Sequence, residues 1–442
     1  MKGVRKVGNK ISFALAGLGS RGKEVYAQAI AAHPEKMEIT AIADPDPEKV
    51  RITAELYHIP KERCFSSAEE MLEKERLADV CVIATQDRQH VGHAIPALKK
   101  GYHLLLEKPV SPDLDECRRI VKAARECDRM VVVCHVLRYT PIYRKVKDIL
   151  DSGKIGDVVS IMAVENVGWF HMAHSFVRGN WNNSDTTSPM ILQKCCHDMD
   201  LYLWLAGKKC ESLSSYGSTY LFKKENAPEG CLERCTDGCR YQGTCPFDAE
   251  AVYLNNKLIG YNSGNRIWPL DVLTQDVTEE NIRKALRTGR FGRCVYHCDN
   301  NVVDHQVVNL NMTDGSTMSF TMSGLTADIA RYARFYGTKG ELIVNMDAHD
   351  MDKNEIYVRL FAPDIPEKHY EIKIQEDDYA THGGGDPVMV EEFVDILLGN
   401  MKEGSSITSL EHSVESHYCA LAAEESRIHG GRVVCLDDYR NG

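Results

Sequence analysis

Several short stretches of this chain combine residue types and spacings that can do chemistry. "GYHLLLEKPVS" ends an apolar run with an acid, a lysine and a proline, Glu107, Lys108 and Pro109. Gly, Asn or Asp would close such a strand at lower cost. A lysine held just past a strand end, with proline fixing the backbone behind it, is set to present an ammonium group to a ligand. "ALAGLGSRG" carries Gly17, Gly19 and Gly22 in G-x-G-x-x-G spacing. The first permits a tight turn, the second lets a pyrophosphate approach the backbone, and the third lets helix and strand pack closely. Asp44 follows about 20 residues later, where a carboxylate bonds ribose hydroxyls and repels a 2′-phosphate. That favours NAD over NADP, although Arg21 in the loop weakens the discrimination, and Asp44 also suits the opening of a "DPDP" turn.

The elements that must position these groups follow from periodicity. "KISFALAGLG" reads as strand and turn, with an amphipathic helix after it whose N-terminus offers free N–H groups to phosphate. "EITAIAD", "LADVCVIATQDRQH", "YHLLLEKP" and "RMVVVCH" are further strands separated by helical patterns. Such alternation predicts a doubly wound parallel sheet, with ligands at the carboxyl ends of its strands. The glycine loop, Asp44, the "TQDRQH" turn and Glu107–Pro109 would converge there. Further on, "NLNMTDGSTMSFTMSG" and "RFYGTKGELIVN" read as hairpins with one buried and one polar face, which predicts an open antiparallel sheet. The expected division is a dinucleotide-binding domain over 1–140 and a second α/β domain over 141–442.

Composition bounds the partners. The chain has 442 residues, 43% hydrophobic and 26% charged, enough for two soluble domains. A net charge of −11 argues against nucleic acid and anionic membranes. No stretch approaches the roughly 18 apolar residues of a membrane span. The start, "MKGVRKVGNKISFALAGLG", reads as a first strand rather than a signal peptide. The sixteen cysteines are then expected to be reduced and the protein cytoplasmic. Four of them, Cys231, Cys235, Cys239 and Cys245, crowd into an insertion at 231–245. Their spacing departs from paired zinc motifs, yet a thiolate zinc site would staple a segment poor in apolar residues. An iron–sulfur cluster and free thiols are the alternatives, and Cys294, His297 and Cys298 could add a ligand if folding brings them near.

Two further stretches are candidates for substrate contact. "VGWFHMAHSFVRGNWNN" offers Trp169, His171, His174, Arg178, Asn180 and Trp181 as a sugar-binding wall, or else as a long loop with its own small core. "YATHGGGDP" offers His382 before a helix expected to be capped by Asp386.

"AGLGSRG", "ADPDP", "IATQDRQH", "GYHLLLEKPVS" and "LRYTPIYRKVKDILDSGKIGDV" together resemble the glucose–fructose oxidoreductase / inositol dehydrogenase / rhizopine-catabolism (Gfo/Idh/MocA) family. The resemblance spans the first domain and the crossing into the second, and weakens beyond "LYLWLAG". It implies a Rossmann domain joined to a domain with a large, mostly antiparallel sheet, NAD(P)-dependent oxidoreduction of sugars or cyclitols, and a homodimer or homotetramer. It assigns Lys108 as the catalytic lysine and Gly17, Gly19, Ser20, Arg21, Gly22, Asp44, Thr85, His90, Glu107 and Lys108 as cofactor positions. The family's D-x-G-x-H-x-x-D signature becomes "QKCCHDMD" here. His197 and Asp200 remain, Gln193 replaces the first aspartate, and Cys195 replaces the glycine. His197 would act as general base, with Gln193, Lys194 and Asp200 around the substrate. Loss of the first aspartate keeps a rival open: an NAD-dependent glycosidase or lyase that oxidises transiently, eliminates a substituent and returns the hydride.

Overall fold

The computed structural model describes residues 10–347, 354–362, 364–373, 382–404 and 406–441. The basic start of the chain, read above as the lead into a first strand, lies outside them, as do Tyr379–Thr381 before the glycine run. The first sheet is built from β1 (Ile11–Ala16), β2 (Met37–Ala43), β3 (Cys64–Phe65), β4 (Val80–Ile83), β5 (His103–Leu106) and β6 (Val131–Val133). All neighbours pair in parallel, in the order β3-β2-β1-β4-β5-β6. Chain order reverses between β1 and β4, which opens a crevice above their carboxyl ends.

Both faces of this sheet are apolar because helices cover both. Ala14, Ala16, Cys81, Ile83, Leu104 and Leu106 pack to one side with Leu98 and Ile120 of the helices His90–Lys99 and Leu114–Cys127. Phe13, Leu15, Val82 and Leu105 pack to the other, against Val25 and Ile30 after the glycine loop. That second face is completed by Met389, Phe393 and Leu397 of the helix Gly385–Leu397, close to the C-terminus. The first core therefore also draws on side chains far beyond residue 140.

Among the described residues the second sheet has nine strands. They are β7 (Val158–Asn166), β8 (Cys210–Ser218), β9 (His305–Met312), β10 (Thr317–Ser323), β11 (Ala330–Gly337), β12 (Gly340–Asp347), β13 (Glu355–Leu360), β14 (Lys368–Glu371) and β15 (Val434–Cys435). The order is β14-β13-β12-β11-β7-β10-β9-β8-β15, antiparallel except where β10 runs parallel to β7. Met318, Phe320 and Met322 alternate inward as expected, while Thr317, Ser319 and Thr321 face out. The outer face also exposes Tyr216, Val307, Met162 and Tyr336. Among the described residues no helix is long and apolar enough to cross a membrane.

Candidate functional site

The glycine loop shows which of its glycines the protein needs for itself. Gly17 has φ +96°, and a Cβ there would lie 2.4 Å from the Ala84 carbonyl oxygen. A Cβ on Gly22 would lie 1.9 Å from the Gly17 oxygen. Gly19 is different: its Cβ would meet nothing within 4 Å. It precedes a helix that begins at Ser20, runs as a π-helix to Ala27 and continues over Gln28–Ala31, with no side chain capping its first turn. Open space over Gly19 beside uncapped N–H groups fits a dinucleotide's pyrophosphate. Asp44 directly follows β2 and clamps this loop, accepting from the Leu18 N–H at 2.7 Å and the Asp46 N–H at 2.9 Å. A carboxylate has about four lone-pair sites, so acceptor capacity remains for ribose hydroxyls.

Arg21 turns into the protein. Its Nε donates to Glu107 at 2.6 Å and its Nη2 to the Tyr26 hydroxyl at 2.6 Å, with a further ion pair to Asp386. Tyr26 in turn bonds Glu107. Burial pushes both carboxyls up, but Arg21, with His382 at Asp386 and Lys108 at Glu107, outweighs it and holds both below their ordinary values. Arg21 thus ties the glycine loop to the end of β5 and to the helix Gly385–Leu397. Asp386 lies inside that helix's first turn rather than capping it. Gly384 holds the cap position, because the Asp386 carboxylate is taken by Arg21 and His382.

Thr85 and His90 are likewise committed to protein groups. The His90 ring nitrogens lie 2.7 Å from the Pro109 oxygen and 3.1 Å from the Thr85 oxygen. Thr85 Oγ1 bonds His93 at 3.1 Å. His90 therefore pins the turn that carries Lys108 to the end of β4.

Lys108 reaches across the crevice to the segment just before the His197 helix. Lys108 Nζ donates to the Gln193 carbonyl at 2.9 Å, four positions before His197. His197 opens the helix Cys196–Ala206 and is 5% exposed. Its ring lies 5.7 Å from that of His135 and 6.0 Å from that of His382. Burial first, then Lys108, His135 and His382, hold its pKa well below the ordinary value. A neutral imidazole beside an ammonium group is the protonation pattern of a proton acceptor next to an oxyanion donor. Lys194 lies 3.3 Å from Glu165, and Arg331 bridges Glu165 at 3.0 Å and Asp198 at 2.8 Å. Gln193 contributes its backbone oxygen to Lys108, in place of the acid expected near the histidine.

Asp200 sits behind this pocket. It accepts from Arg138 at 2.6 and 2.5 Å and lies 2.9 Å from His135 Nδ1. Burial favours its acid form, but Arg138 and His135 prevail and bring it down to about 2. Asp200 therefore orients His135 rather than reaching a substrate. His135 stacks on His417 with centroids 5.5 Å apart, and Cys196 is close to both. That trio does not suit a metal: His417 Nε2 already accepts from the Val110 N–H at 2.7 Å, and its Nδ1 faces the Ser413 oxygen at 3.1 Å.

The expected aromatic wall is mostly elsewhere. Trp169 packs on Phe170 and Phe247. His174 stacks on Phe291 at 4.8 Å and bonds the Tyr253 hydroxyl at 2.9 Å. Arg178 is 0% exposed and donates to the Arg293 and Phe247 oxygens. Trp181 donates to Asp87 at 3.3 Å. None of these four bonds to or stacks on Lys108, His197 or His382 among the described residues. The segment Met172–Arg178 is buried on every side, so its polar groups serve the core of the insertion. His171, from the same stretch, packs on Trp268 with ring centroids 4.9 Å apart and on Phe176 at 5.9 Å. Burial, then Lys194, His174, Lys108 and His382, depress its pKa well below the ordinary value.

His135 and Arg138 could have been found from sequence, since they follow the "VVVC" run of β6 at the same strand edge as Lys108. Glu165 and Arg331 could not: they are cross-strand partners in β7 and β11. The cysteines of the insertion line one cavity of about 230 Å³ that Lys108, His197 and His382 do not enter. Among the described residues the compact ligand set there is Cys231 with Cys294 and His297, rather than the four cysteines of 231–245 alone.

Comparison with known proteins agrees with this architecture. Residues 11–135 match the profile described as "Oxidoreductase family, NAD-binding Rossmann fold", and residues 147–436 that of its "C-terminal alpha/beta domain". A putative oxidoreductase of Bacillus subtilis, YteT, is 25% identical over 376 residues, 82% of each chain. The inositol 2-dehydrogenase of Leifsonia xyli subsp. xyli is 28% identical over 225 residues, 50% of this chain and 59% of that one. Among solved structures, the WlbA dehydrogenase of Bordetella pertussis with NADH and UDP-GlcNAcA superposes with a TM-score of 0.66 at 19% identity. That match covers 97% of this chain and 98% of the other.

Proposed function

The chain belongs to the Gfo/Idh/MocA family of oxidoreductases, and from that premise we propose that it oxidises a hydroxyl group of a sugar, glycoside or cyclitol with NAD. The observation that carries this reading is the Lys108 ammonium at the carboxyl edge of the parallel sheet, bonded to the Gln193 carbonyl four residues before the buried His197. Gly17–Gly22 and Asp44 are the residues that would hold NAD, which would supply the hydride acceptor when bound, and the Asp44 carboxylate would disfavour NADP. His197, neutral because it is buried beside a cation, takes the hydroxyl proton. The Lys108 ammonium donates to the same oxygen and holds its developing negative charge. His171, Lys194 and His382 surround the remaining hydroxyls, and Arg21 and His90 keep the loops in register. Two of the proteins named above, an inositol 2-dehydrogenase and a dehydrogenase solved with UDP-GlcNAcA, support a polyol substrate. A second copy of the chain covers the exposed Tyr216, Val307, Met162 and Tyr336 in this reading, giving a homo-oligomer, and the protein works in the cytoplasm. A zinc ion in the cysteine-rich insertion would serve the fold and not the reaction.

The test is NADH formation over a panel of cyclitols, aldoses, uronates and glycosides. At least one should give NADH, and its kcat/KM should hold as pH falls from 7 to 6, because His197 gains its proton only well below the ordinary histidine value of about 6.5. An acid limb near 6.5 would mean that the base titrates at the ordinary histidine value and not at the depressed one that burial gives His197. Release of an aglycone without net NADH would favour the oxidation–elimination route instead.

Gly19→Ala separates folding from cofactor binding. The added methyl group enters open space, so Tm should stay within about 2 °C, while NAD affinity falls at least ~10-fold by fluorescence titration. Unchanged affinity would show that the dinucleotide does not cross Gly19.

A further inference from the structure

The insertion around Cys231 contains a site that the hydride-transfer chemistry does not use. From Ala227 to Asp248 the chain forms only turns and one bridge residue, with no helix or strand. It is nevertheless ordered around thiols. Cys231 Sγ lies 3.3 Å from His297 Nε2, and the ligand atoms of Cys231, Cys294 and His297 all fall within 4.8 Å of one another. Tetrahedral zinc with thiolate and imidazole ligands needs separations of roughly 3.5–3.8 Å, so the 3.3 Å pair would open slightly and the set as a whole needs only a small adjustment. His297 is already oriented: its Nδ1 is 3.4 Å from the Glu233 carboxylate, which leaves Nε2 aimed at Cys231. A carboxylate behind the imidazole is the usual support of a metal-bound histidine.

A fourth ligand is placed by the backbone. Arg234 and Arg293 form an antiparallel bridge, with the Cys294 N–H bonded to the Glu233 oxygen at 2.8 Å and the Cys235 N–H to the Gly292 oxygen at 3.0 Å. Residues flanking a bridged pair project to one face, so Cys235 and Cys294 share a side. Both line the cavity with Cys231.

Charge points the same way. Arg178 is wholly buried, and its Nη1 has no hydrogen-bond partner. Among the described residues it forms no ion pair with a carboxylate. Its Nη2 instead donates to Cys235 Sγ at 3.5 Å. A buried guanidinium needs an anion. Neutral thiols cannot supply one, but a zinc ion with three thiolates and a neutral histidine carries one net negative charge.

We propose that Cys231, Cys235, Cys294 and His297 hold a structural zinc ion whose excess charge is balanced by Arg178. Cys239 and Cys245 line the cavity without ligating. The full chain, purified without chelator, should contain about one zinc per chain by atomic mass analysis. Cys231→Ser, Cys294→Ser and His297→Ala should lose the metal, and Cys239→Ser and Cys245→Ser should keep it. Should the ligand variants fail to fold, cobalt exchange into the wild-type chain still decides: a tetrahedral site with thiolate-to-cobalt charge-transfer bands is expected. The proposal is overturned by a chain that takes neither zinc nor cobalt, by iron with inorganic sulfide in the cavity, or by zinc that survives Cys294→Ser and leaves with Cys239→Ser.

Discussion

Lys108→Ala lowers kcat by about 10²–10⁴-fold, the usual range for one positioned proton-transfer group, and leaves NAD affinity within about threefold. The asymmetry follows from where the ammonium group sits. Lys108 Nζ reaches across to the Gln193 carbonyl on the substrate side, whereas Glu107, the residue before it, is the one locked into the glycine-loop network with Arg21 and Tyr26. Truncation therefore removes a donor that matters when an alkoxide forms, without loosening the loop that grips the dinucleotide. Lys108→Arg should rescue little, because a planar fork cannot replace a compact point charge in that space. Steady-state kinetics on the best hydroxyl substrate and an NADH fluorescence titration read the two effects separately. Full activity in Lys108→Ala would end the assignment; an equal loss of NAD binding would recast the lysine as a cofactor ligand.

Asp200→Asn destabilises the protein by about 3–5 kcal/mol, because it strands a buried cation. Asp200 neutralises Arg138 through two hydrogen bonds and holds His135, and all three are buried. Asparagine keeps the shape and removes the charge. The pH dependence has a definite sign. The folded-state carboxyl is depressed to about 2, below its unfolded value of about 3.9. Its contribution is therefore complete above pH ~4 and is lost as pH falls toward 2. Urea unfolding of both proteins should give a gap that is constant from pH 7 to 5 and shrinks below 4. Equal stability at pH 7 would mean that Arg138 has another counter-ion. Activity should fall as well, since His135 packs against His197.

Much of the first sheet was legible because its signals are local. Apolar runs closed by glycine or by charged turns mark strands buried on both faces, and each chemistry-bearing residue at their ends lies within a few positions of its strand. The outward–inward alternation of Thr317–Ser323 was legible for the same reason, as side chains of a strand alternate wherever it lies. The aromatic stretch misled because composition does not say which side a segment turns inward. His171 feels the charges of Lys194 and Lys108, while His174 and Arg178, a few positions on, are consumed by the core of the insertion.

The amino-acid order alone thus specified the fold class, the glycine cradle and the two segments that carry the ammonium and imidazole groups. Folding in three dimensions settled the remainder: that the helix Gly385–Leu397 helps complete the first core, that Arg331 pairs with Glu165, and that Cys294 and His297, distant in sequence, come together with Cys231. The division is physical. Backbone conformation and burial pattern answer to neighbours a few residues away, whereas ion pairs and ligand sets are made between strands and loops whose register no short stretch of chain encodes.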